Sequence, residues 1–165
     1  MKINGRQVKL PSPVECKIFR DEEESFSFLC GPIVDYKEFD SKVPEPKAPL
    51  ITNVKTGQKT VSTDDVKYKV KMAEYSELRI AWMVIKSLSA TPGLEWETVD
   101  PSNPDTWLNY NKDLSSVLTQ PEINRLISSV FEANNPTQTR RKEALENFTS
   151  TGDQERNTAS QTLAQ

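Results

Sequence analysis

Histidine is absent from this chain of 165 residues. That removes Ser-His and Cys-His nucleophile pairs, imidazole acid–base catalysis and every His-containing zinc site at once. Cysteine is scarce: Cys16 and Cys30 are the only 2, too few for a disulfide framework or a four-thiolate zinc site. Glycine occurs 5 times, scattered, and spells no phosphate-cradling loop, dinucleotide fingerprint or nucleophile elbow. No stretch approaches about 18 consecutive apolar residues, and residues 1–6 carry no apolar signal region, so a soluble, reducing, cytoplasmic setting is the expectation. A concentrated basic surface is also missing. The 21 Lys and Arg are interspersed with 24 Asp and Glu for a net charge of −3, which argues against nucleic acid as a partner.

What is present is proline, 11 residues of it, pointing to stiff, extended connectors. The hydrophobic share of 35% is low for a globular chain, so part of it is expected to stay out of the core. Asp21-Glu22-Glu23-Glu24 reads as a solvated loop; adjacent carboxylates cannot all converge on one ion. Glu95 with Glu97, and Asp100 with Asp105, sit in polar loop sequence, where capping and solvation explain them better than acid–base work. No catalytic centre, cofactor or metal is expected.

In order, Asn4-Gly5 predicts a tight turn in a small hairpin. Val14, Cys16 and Ile18 alternate with Glu15 and Lys17, and Phe26, Phe28 and Cys30 with Ser25, Ser27 and Leu29, predicting a second hairpin with both thiols buried near its open end. Gly31-Pro32 breaks the strand, and Tyr36 and Phe39 follow in an extended or one-turn segment. Residues 40–63, with Pro44, Pro46 and Pro49, read as a covering arm or flexible loop. Helical spacing of Tyr68, Met72, Tyr75 and Trp82, beside Leu78, Ala81, Ile85 and Leu88, predicts a long helix capped by Ser62 or Thr63. Asn103-Pro104-Asp105 predicts another helix start, with Trp107, Tyr110, Asn111, Leu114 and Leu118 facing inward. Thr119-Gln120-Pro121-Glu122 is a capping box opening an amphipathic helix with Ile123, Leu126, Ile127, Val130 and Phe131. A last helix follows Thr137, carrying Ala144, Leu145 and Phe148, before a polar tail that cannot offset its ordering entropy.

The expected fold is therefore α+β: small N-terminal antiparallel β-hairpins plus a C-terminal bundle of about four α-helices. The expected divisions are a hairpin region at 1–39, a Pro-rich connector at 40–63, a helical domain at 64–148 and a disordered tail at 149–165. Consecutive short amphipathic helices can form a groove for a partner helix, or can spend every apolar face inside the fold.

The run Leu94-Glu95-Trp96-Glu97-Thr98-Val99, then Asp105-Thr106-Trp107, resembles the tail assembly chaperones of long-tailed (siphophage-type) bacteriophages. Glu122-Ile123-Asn124-Arg125-Leu126-Ile127, Glu132-Ala133-Asn134 and Glu143-Ala144-Leu145 with Phe148 are similar to the same group, so the likeness covers residues 64–150. It implies a non-enzymatic protein that binds the helical tape-measure protein and keeps it soluble during tail morphogenesis. It also implies a tail tube protein recruited through a frameshifted longer form. Self-association is left open, and neither nucleic acid nor membrane is an expected partner. The expected binding surface runs through Trp107, Leu114, Ile123, Leu126, Val130 and Phe131. A virion structural or head–tail connector protein, and a host-directed adaptor, stay open as other readings.

Overall fold

Strand β3 (Val14–Phe19) buries Val14, Cys16 and Ile18 and turns Glu15, Lys17 and Phe19 to solvent. It pairs antiparallel with β4 (Ser25–Cys30), with Val14 opposite Cys30 and Cys16 opposite Phe28, so both thiols lie diagonally on the inner face. A computed structural model describes residues 2–3, 6–7, 11–20, 25–52 and 57–135. Among these the strands form three two-stranded antiparallel sheets, of which β1 (Lys2–Ile3) with β2 (Arg6–Gln7) is the first. The fold is α+β, with small hairpins and one short helix preceding the long helix and those after it. The Asn4-Gly5 turn, the acidic run at 21–24, the helix after Thr137 and the tail lie outside the described residues.

After β4 the chain makes a short helix, α1 (Lys37–Lys42), the helical and not the extended of the two expected forms. It forms because Phe39 is drawn fully into the core, with ring centroids 5.3 Å from Tyr75, 5.6 Å from Trp82 and 6.1 Å from Trp107. The 40–63 segment also holds more structure than its prolines suggested. Strands β5 (Leu50–Thr52) and β6 (Lys59–Val61) pair there, every residue exposed.

Helix α2 (Val66–Leu88) starts later than expected. Ser62 donates its N–H to the Pro49 carbonyl at 2.9 Å and so belongs to the hairpin ladder. The cap falls to Asp65, whose carboxylate accepts the Tyr68 N–H at 2.8 Å. The second half of α2 is buried almost all round, with Ala81, Trp82, Met83, Val84, Ile85, Ser87 and Leu88 in the core. Pro104 opens a 3-10 helix (Pro104–Asn109) in place of a direct α start, Asn103 capping it by accepting the Asp105 N–H at 3.1 Å. This tighter turn carries Trp107 fully inside, its indole N–H on the Pro101 carbonyl at 3.2 Å. Helix α3 (Tyr110–Val117) follows, then α4 (Gln120–Asn134). The capping box of α4 forms as expected, the Thr119 N–H donating to the Glu122 carboxylate at 2.7 Å.

One buried cluster draws on β3, β4 and all four α-helices. No helix among the described residues is long and apolar enough to cross a membrane.

Candidate partner-binding surface

The expected binding residues are mostly core. Trp107, Leu126 and Val130 are fully buried, and Leu114 and Ile123 nearly so. Apolar recurrence at helical spacing marks the face a helix buries, and here α3 and α4 spend that face on β3, β4 and α2. A surface running through these residues is not available in this structure. Phe131 is the exception, 45% exposed on the outer side of α4.

The structure instead gathers an apolar patch where the far end of the β3–β4 hairpin meets the α3–α4 junction. Phe19 is 66% exposed, Val117 59% and Phe26 37%. Beside Phe19 lies a shallow cleft of about 370 Å³, lined by Ile18, Phe19, Pro121, Glu122 and Arg125. Each wall follows from local sequence. Phe19 sits at an outward position of β3, one residue past the last buried one. Pro121 occupies the first turn of α4, where a proline costs no hydrogen bond.

Arg20 holds the patch together. Its guanidinium donates to the Val117 carbonyl, pairs with Glu122 at 3.2 Å and lies 5.7 Å from the Phe26 ring centroid. Arg125 reaches the Lys17 carbonyl from the other side at 3.4 Å. The carboxyl of Glu122 is held below its ordinary value, first by the Thr119 N–H, then by the Thr119 hydroxyl, with Arg20 and Arg125 adding to it. The result is an exposed apolar ledge with cationic groups along it, fixed to three elements.

Sequence reading passed over Phe19 and Val117. The available signal was an aromatic at a position where alternation calls for a polar residue.

A second concavity of about 510 Å³ runs past Pro11, Pro13, Ile33 and Val34 to the Lys86–Glu38 ion pair, whose nitrogen and oxygen are 2.6 Å apart. Among the described residues no group of three or more Cys, Asp or Glu is arranged to hold a metal. Cys30 is buried with its thiol pushed up to about 12, first by burial and then by Cys16 beside it, which keeps it an unreactive small hydrophobe.

Asp113 is a further polar group that sequence reading missed. Its carboxylate accepts the Glu97 N–H at 3.0 Å, the Thr98 N–H at 2.9 Å and the Thr98 hydroxyl at 2.5 Å, fastening the Trp96 loop onto α3. This is architecture and not a free acid.

No family model matches the chain, and neither a curated protein nor a solved structure is detectably similar to it.

Proposed function

We propose that this chain is a non-enzymatic binding protein of phage tail assembly, a chaperone that covers apolar helical stripes of the tape-measure protein in the host cytoplasm. The observation that carries the reading is the exposed Phe19, Phe26 and Val117 at the hairpin end, where Arg20 ties Phe26 to Val117. An amphipathic helix laid on it would bury the exposed rings and place acidic flanking residues against Arg20 and Arg125. Aromatic and arginine anchors of this kind dominate interface energetics where they are desolvated. The likeness at residues 94–107 and 122–134 supplies the biological setting. The burial of most apolar side chains in those runs favours the hairpin end as the contact.

Co-expression with the tape-measure protein encoded nearby tests this. Soluble recovery and co-elution on size exclusion should require this chain, and Phe19→Ser should abolish both while leaving the circular dichroism spectrum unchanged. A partner that stays insoluble, or that is soluble unaided, refutes the function. Full protection by a folded Phe19→Ser, Val117→Ser double variant refutes the site.

A further inference from the structure

Helix α2 is longer than the core it serves. In its first half Tyr75 is buried and Tyr68, Met72 and Leu78 are half-buried, whereas Val66, Lys69, Val70, Ala73, Glu77 and Ile80 are exposed. At about 100° per residue these exposed positions share one strip of the helix surface, about 100° wide. Val66 is 73% exposed, Val70 53% and Ile80 41%. The strip continues the face that Val84 and Leu88 bury further along, so an apolar seam runs out of the core into solvent.

The strip is symmetric in character about Ala73. Val66 and Ile80 lie seven positions to either side, Lys69 and Glu77 four positions to either side. We propose that this strip is a self-association surface on which α2 packs antiparallel against α2 of a second copy, about a twofold axis at Ala73. Lys69 of each copy then faces Glu77 of the other, and Val66 faces Ile80. Charge complementarity selects this occupant, since an antiparallel copy matches both charges twice and a parallel copy sets lysine on lysine.

Ala73 at the crossing lets the helix axes approach closely. Lys69 pairs with Asp64 at 2.8 Å, but the side chains are 59% and 93% exposed, so little is lost when Lys69 changes partner. The overlap from residue 66 to 80 is about 21 Å long.

Sedimentation velocity on the full chain over a concentration series reads this out, independently of the proposed function. The wild type should form dimers. Lys69→Glu or Glu77→Lys alone should raise the dissociation constant about tenfold or more, because each reversal sets two like-charge contacts in the seam. The double reversal should bring the constant back near wild type. Ala73→Cys should give a disulfide-linked dimer under mild air oxidation, and Lys71→Cys, on the opposite side of the helix, should not; Cys16 and Cys30 are buried and stay out of the reaction. A chain that is monomeric at every concentration overturns the proposal, as does a dimer indifferent to both reversals. So does a monomer in which Lys69→Glu weakens tape-measure binding, which would give the strip to that partner.

Discussion

Gly31 and Ser87 exchange two hydrogen bonds: the Gly31 N–H donates to the Ser87 carbonyl, and the Ser87 hydroxyl donates to the Gly31 carbonyl, both at 2.8 Å. They fasten the end of β4 to the last turn of α2, and Ser87 is wholly buried. Ser87→Ala leaves the Gly31 carbonyl without that donor and should cost about 1–3 kcal/mol in urea unfolding. A Cβ at Gly31 would lie 3.0 Å from the Ala90 Cβ. Gly31→Val should therefore cost more than Ser87→Ala, since the two backbones cannot separate without losing both bonds. Equal stability of Gly31→Val and wild type would show that this junction is loose.

Asp113 predicts an acid limb in the stability profile. Burial works to raise its carboxyl pKa, but the Thr98 hydroxyl and the N–H groups of Thr98, Glu97 and Val99 outweigh it and hold the group below its ordinary 3.8. A carboxyl lowered in the folded state contributes stability that is fully present above its unfolded pKa and is lost as pH falls through the folded value. Unfolding midpoints should hold from pH 7 to about 5 and drop steeply below about 4. Asp113→Asn should be less stable at pH 7 and show a shallower drop. A residual acid limb should remain, because Glu38, held down first by its bond from Lys86, and Glu122 also titrate there. An Asp113→Asn profile parallel to wild type would remove Asp113 as a cause.

How much of this was legible follows from what sequence patterns encode. The β3–β4 hairpin and α4 were readable because Val14, Cys16 and Ile18 alternate without a break and because Thr119 and Glu122 cap each other locally. The β5–β6 hairpin was not, because Leu50, Ile51 and Val61 bury nothing and leave no periodic trace. Ser62 looked like a helix cap until the Pro49 carbonyl claimed its N–H, a pairing that sequence spacing does not show. Most of the expected binding residues are buried for a related reason: the same apolar periodicity describes a face buried by its own fold and one offered to a partner. Only the tertiary arrangement separates Leu126, fully buried, from Phe131 on the same helix.

The two cysteines should be silent in the native protein. Both are buried out of a reagent's reach, and Cys30, pushed up to about 12, also holds almost no thiolate at pH 8. A thiol reagent at pH 8 should label neither in buffer and both once urea unfolds the chain, with labelling tracking the unfolding curve. Fast labelling of the folded protein would mean that the sheet opens locally.

Phe39 and Phe19 give the sharpest contrast, being the same residue type in opposite roles. Phe39 is fully buried among Tyr75, Trp82 and Trp107, and it is the reason α1 forms at all. Removing it leaves a cavity between three aromatic rings, so Phe39→Ala should cost about 3–5 kcal/mol, enough to unfold a marginal domain. Phe19 is 66% exposed, and Phe19→Ser should change stability by no more than about 0.5 kcal/mol. Thermal denaturation of both variants decides the matter. If Phe19→Ser destabilises as Phe39→Ala does, the hairpin end is part of the core, and the ledge assigned to a partner does not exist.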